Sequence, residues 1–424
     1  MAVMVLLALG AAPARAEWSE PERVSPPSIV SDPFLGYTRD GRPVVAWHVR
    51  QPYGTHNPGS VAESGLAVRA ADGWRHTRIH PALDLALVDG PSERFFVAGV
   101  RYAWNGYDLD EPAHFDAFDV AWDRAGAPVA PQGRDRGLPR GTGVVAEAND
   151  RGDRAAAWFG MRGRVYASTA PAGRRMGRPQ RIGSDLSRDF QRVAADVNAR
   201  GDAAVAWRSG SRVLVRVARR GKRFGAARVA GSAAGEGRVL GVALGAAGAI
   251  DVVWARKAGP QAAIVTSHAD DGRRFDRPRV VDLDFRGTFD ARSATGRDGE
   301  LFLAWINRDG ADPVVRVAAI RDGTVSIQEL RRAPEPWPRT IRVAADRRGH
   351  AAVAWPPRYP EREVRVFAAG PGEPFAPMPP VPVVTEVAGA VSVAIEPATG
   401  RPGLAFTTSY ATSDDTALFY TVLR

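Results

Sequence analysis

The phrase DVNARGDAAVAWRSG at residues 196–210 returns almost unchanged as AADRRGHAAVAWPPR at 344–358. Repetition at long range restricts a chain more than composition does, because each copy must build the same unit and bury its apolar face against its neighbours. Further copies are YTRDGRPVVAW ending at Trp47, ANDRGDRAAAW at Trp158, LGAAGAIDVVW at Trp254 and TGRDGELFLAW at Trp305. A looser copy, EPATGRPGLAF, puts Phe406 in the aromatic place, and LVDGPSERFFVAG keeps the strand near Phe96 but has Gly99 there. From Trp158 to Phe406 the spacings are 49, 47, 51, 50 and 51 residues.

Each copy opens with a turn of the form N/D/G-x-x-G. Asn or Asp at the first place bonds the backbone ahead of it, and Gly at the fourth accepts the left-handed conformation of a tight hairpin. The following strand alternates, with Val205 and Trp207 on one face and Ala204 and Ala206 on the other. Neither face is polar, so both are expected to be buried, the large side against one neighbouring unit and the small side against the next. A third strand such as RVLVRVARR comes next. A Gly-containing turn then leads to a fourth, such as FGAARVAG from Phe224 or FDRPRVVD from Phe275. Proline in the fourth stretch suits an outer edge, where a missing backbone donor is harmless.

Four antiparallel strands in about fifty residues, copied around a ring, predict an all-β fold: a single β-propeller over residues 17–424. Eight copies predict eight four-stranded blades, or seven if the degenerate stretch at 75–130 builds none. EWSEPERVS, after residue 16, reads as a fourth strand without a blade before it, and TALFYTVLR as a third strand with nothing after it. Pairing the two would close the last blade. Closure of that kind has to serve in place of disulfides, since the chain has no cysteine, which also excludes thiol catalysis and Cys-ligated metal.

Residues 1–16 form an apolar run ending in Ala14-Arg15-Ala16, a small-residue site suited to a signal peptidase. The expectation is a secretory signal followed by a secreted, periplasmic or envelope-associated monomer with no transmembrane segment in the mature chain. The run carries no Lys or Arg at its start, which leaves the true translation start open. The formal charge is +10, but Arg supplies nearly all of it together with enriched Ala, Gly and Pro, a bundle that codon bias also produces. Nucleic acid is therefore not expected as a partner.

The turn HADDGRRFDRP at 268–278 resembles the Asp-box of neuraminidase-type (BNR) repeats, S-x-D-x-G-x-x-W. Asp270, Gly272 and Phe275 match in place, while His268 stands where Ser is expected and Phe replaces Trp. The resemblance implies an exported bacterial propeller. It does not carry the sialidase activity, which would need an arginine cluster, a Tyr nucleophile and acid groups at the ring centre. The eight-bladed quinoprotein dehydrogenases share Trp-containing blades, but their vicinal cysteine pair is absent here.

In a propeller the first-to-second and third-to-fourth turns share one face, and both are short in this chain. The other face carries the second-to-third connections. These are long in blade 1 (Tyr53, His56, Asn57), blade 2 (Trp104, Tyr107, Asp108, Asp110) and blade 8 (Tyr410, Asp414, Asp415). Those blades are neighbours in a closed ring, so their loops should cluster. Exposed rings stack on the apolar faces of sugars while Asp accepts hydroxyl or amide protons. The expectation is a binding module for carbohydrate, cell-envelope polymer or protein; the alternative is a carbohydrate-active enzyme, sialidase-like or another glycoside hydrolase or lyase, on the same face. Arg192, Arg238 and Arg342, near the starts of first strands, would make the channel mouth cationic. The acidic run Asp108, Asp110, Glu111, Asp116 and Asp119 offers oxygen ligands for calcium but lacks the spacing of a helical calcium loop. No cofactor is otherwise expected, and neither a zinc spacing, a G-x-S-x-G nor a phosphate loop occurs.

Overall fold

In the computed structural model the described residues are 16–25, 30–38, 40–50, 61–79, 85–89, 94–101, 114–122, 128–129, 141–160, 163–184, 193–233, 235, 237–258, 261–283, 291–307, 314–332, 340–356, 363–382, 388–409 and 416–424. They form eight antiparallel sheets. Seven have four strands. The remaining one has a fifth because its outer strand is broken into Ala376–Pro377 and Val381–Pro382, both paired to Glu363–Ala369. Prolines 377, 379 and 380 account for the break, since each removes a ladder donor.

The first strands touch in sequence around a closed circuit. It runs from Val30–Tyr37 (blade 1) through Leu85–Asp89, Gly141–Ala148, Val193–Val197, Arg238–Leu244, Arg292–Thr295, Arg342–Ala345 and Ala388–Ile395 (blade 8), then back to blade 1. This is an eight-bladed propeller. The degenerate stretch builds blade 2, from Leu85–Asp89 to Pro128–Val129.

The repeated turn has the expected chemistry. In blade 4 the Asn198 carbonyl accepts from Gly201 N at 2.9 Å, its side-chain oxygen accepts from Asp202 N at 2.9 Å, and Gly201 has φ +84°. Asn149 and Asp346 repeat the arrangement in blades 3 and 7. The two faces of the second strand also divide as expected. Val205 and Trp207 pack into blade 3 against Ala157, Phe159 and Ile182, whereas Ala204 and Ala206 face blade 5 at Val252 and Trp254.

One packing device is carried by the last glycine of the fourth-strand copies, such as FGAARVAG. Gly183, on the outer strand of blade 3, lies under Trp207 of blade 4; a β-carbon there would come within 2.6 Å of the indole. Gly231 stands in the same relation to Trp254.

The ring closes through the ends of the described chain. Glu22–Arg23 pairs antiparallel with Thr416–Val422, Glu22 opposite Tyr420. Ser19 N donates to Val422 O, Val24 N to Leu418 O and Arg424 N to Glu17 O, at 2.7–2.9 Å. The Asp-box-like turn is built differently from its resemblance. His268 is buried, with one ring nitrogen 3.0 Å from Asp251 and the other 2.9 Å from Asp270, while the hydroxyl of the preceding Ser267 donates to Asp276 O. The secretory-signal reading of residues 1–16 falls almost wholly outside the described residues.

Candidate functional site

The first strands of the eight blades surround the ring axis, and its two ends differ. At the short-turn end, Asp196 interrupts the apolar Val193–Val197 and is fully buried. Its Oδ2 accepts from Leu244 N of blade 5 at 2.7 Å, and its Oδ1 accepts from Nη2 of Arg347 at 2.8 Å. Arg347 belongs to the turn of blade 7 and therefore reaches over the axis to blade 4. It also donates to Val197 O at 2.9 Å and to Gly296 O of blade 6 at 3.2 Å. Burial works against its charge, but Asp196 and Glu147 outweigh that and hold the guanidinium more firmly protonated than usual.

Glu147, near the end of Gly141–Ala148, completes the cluster. Burial first, then the charge of Asp196, push its carboxyl up to about 7, and Arg347 offsets part of this. A carboxyl in that range can exchange protons near neutrality. Both oxygens of its neighbour are nevertheless committed to holding blades together, so the cluster works as a latch. Asn149 and Asn198 extend it, donating to Asn198 O at 2.8 Å and Gly245 O at 3.0 Å of the next blade. Beside the latch is a cavity of about 170 Å³ lined in part by Asn149, Asn198, Asp298 and Arg347. The sequence marks Asn149 and Asn198 as turn residues but gives no role to Glu147, Asp196 or Arg347. The available signal was a carboxylate in each of two otherwise small and apolar first strands.

At the long-loop end, Arg292 and Arg342 begin the first strands of adjacent blades 6 and 7. They hold the same register, opposite Ala304 and Ala354, each of which precedes the blade's Trp. Both are half-buried and donate to the carbonyl before them, Ala291 O at 2.9 Å and Ile341 O at 3.3 Å. Arg342 was expected at this mouth; Arg292 was not singled out. Arg238 differs: it is buried and sits opposite Ala255, beyond the Trp, so it does not join the pair. Arg192 lies outside the described residues.

The loop residues Tyr53, His56, Asn57, Trp104, Tyr107, Asp108, Asp110, Tyr410, Asp414 and Asp415 also lie outside the described residues, as does Glu111 of the acidic run. The side chains of Asp116 and Asp119 are likewise not described. The strands that carry these loops are described. They end on blades 1, 2 and 8, whose first strands are in contact. Among the described residues no group of three or more His, Cys, Asp and Glu is placed to hold a metal ion, and no helix is long and apolar enough to cross a membrane.

No protein-family model and no curated protein matches the chain. Solved structures match it in fold. The polysaccharide lyase Uly1 has a TM-score of 0.50 at 10% identity, covering 99% of this chain and 94% of its own. An ulvan lyase of polysaccharide lyase family PL25, solved with a -[GlcA(1-4)Rha3S]- saccharide, has a TM-score of 0.50 at 10% identity, with 94% and 95% covered. The BP39L lectin from Burkholderia pseudomallei has a TM-score of 0.50 at 12% identity, with 80% and 95% covered. At such identity the likeness defines the class, a β-propeller, and nothing narrower.

Proposed function

We propose that the chain is an exported saccharide-binding propeller that holds an acidic glycan or envelope polymer over the long-loop mouth of its channel. The observation that carries this reading is the pair Arg292 and Arg342, in one register on neighbouring blades, at the end from which the three long loops emerge. Guanidinium groups fork onto carboxylate or sulfate oxygens, and Tyr53, Trp104 and Tyr410 of the long loops are the aromatic residues proposed to stack on the sugar rings. The fold likeness to two polysaccharide lyases and a lectin supports a saccharide as ligand.

The test is a panel of acidic and neutral glycans and cell-wall polymers against the chain from residue 17. Arg292→Ala/Arg342→Ala is expected to weaken the acidic ligand about 10-fold or more, the scale of a lost charged hydrogen bond, with neutral ligands little changed. Equal binding by the double variant would remove the reading. Enzyme activity on the same face is the alternative. It needs two carboxylates about 5–10 Å apart at that mouth; the axial pair Glu147 and Asp196 is at the other end. Release of new chain ends from a bound polymer, lost on changing Asp108, Asp110, Asp414 or Asp415, would replace binding by catalysis.

A further inference from the structure

The outer rim of the short-turn face carries a second cationic surface, away from the axis. The third-to-fourth turns of blades 3 and 4 lie side by side and enclose a groove of about 570 Å³, within the size range of ligand sites. Arg175 and Arg178 enter it from blade 3, Lys222 and Arg223 from blade 4, and all four are exposed. Residues 170–181 and 218–228 together hold nine Lys and Arg and no Asp or Glu.

Elsewhere on the rim a turn that carries Arg tends to carry its own counter-charge. Arg75 pairs with Asp72, Arg273 with Asp271 and Arg321 with Asp322. The blade 5 turn, residues 269–279, sets three Asp against four Arg. In the blade 4 turn Arg220, which does not line the groove, is neutralised by Asp153 at 2.9 Å. Among the described residues Arg175, Arg178, Lys222 and Arg223 make no such pair. Four like charges therefore face one concavity without compensation, a field that concentrates anions.

The floor is fixed. Gln180 of blade 3 donates through Nε2 to Phe224 O and accepts from Phe224 N, both at 2.9 Å, clasping the two blades. Pro171 and Pro179 stiffen the walls. Phe224 is buried, so the groove presents no aromatic face for stacking bases. A concave cleft also suits a chain better than a flat lipid surface.

We infer that this groove is a binding site for a segment of sulfated or carboxylated polysaccharide, separate from the channel mouth and independent of the function proposed there. Heparin is the probe, with duplex DNA and phosphatidylglycerol vesicles as competing arms. The variant Arg175→Ala/Arg178→Ala/Lys222→Ala/Arg223→Ala should bind heparin about 10-fold or more weakly and lower the slope of log K against log[salt] by about 3, as lost counterion release requires. The chain with Arg175→Lys, Arg178→Lys and Arg223→Lys should keep most of the affinity, which separates charge from packing. Heparin should also slow amide exchange in 171–179 and 219–227 of the unaltered chain, a readout needing no variant. Wild-type affinity in the Ala variant, loss confined to Arg292→Ala/Arg342→Ala, absence of protection in those turns, or tighter binding of DNA or vesicles than of heparin would each overturn the inference. Rim binding that survives in the mouth variant keeps the two proposals distinguishable.

Discussion

Glu147 shows how a residue in this ring is set by its surroundings rather than its neighbours in sequence. Its folded pKa, about 7, lies above the ordinary carboxylate value. The stabilisation that follows is full below about pH 4.5 and is lost as pH rises through about 7, where an ionised carboxylate must share Arg347 with Asp196. The melting temperature should therefore fall between pH 5 and 8, and Glu147→Gln should remove roughly 2–4 °C of that fall. Calorimetry of both chains at the two pH values is the check; an equal fall in both would contradict the assignment. The sequence makes Asn149 and Asn198 legible as turn residues because their partners are two to four positions away. It hides their bonds to the next blade, and the reach of Arg347 to Asp196 across 151 positions, because no local pattern says which carbonyl or carboxylate will lie opposite.

At the scale of strands and turns, the repeat made most of the ladder readable. Trp207 fixed the alternation of its strand, and the N/D-x-x-G phrase fixed where the strand begins. What remained illegible was the fit between unlike elements, such as the bare backbone of Gly183 under an indole from the next blade. The closing strand was readable because it lacked a blade of its own. It contributes buried Val24, the Trp18 bond to Pro379 O at 2.7 Å and the Arg69–Glu22 ion pair at 2.7 Å that ties it to blade 1. Removing residues 17–25 exposes the edge of Thr416–Val422 and leaves blade 8 with three strands. A thermal midpoint lower by about 10 °C or more is expected. An unchanged midpoint in a thermal scan would mean that the ring is held elsewhere.

For the molecule as a whole, the circuit of first strands has no mechanical beginning, and the bond from Arg424 N to Glu17 O brings the two ends of the propeller together. A chain reordered to start at Ser211 and end at Gly210, with residue 424 joined to 17 by a short linker, should fold to the same ring. Gly210 and Ser211 occupy an exposed turn of blade 4, the kind of position that tolerates new termini. Circular dichroism matching the unpermuted protein and a midpoint within about 5 °C are expected; an unfolded product would show that chain order matters to assembly. At the short-turn end of the same circuit, Arg347 of blade 7 bonds Asp196 and Val197 of blade 4 and Gly296 of blade 6. One side chain thus staples together blades that share no strand ladder and are far apart in the chain, so a single substitution there reaches three blades at once.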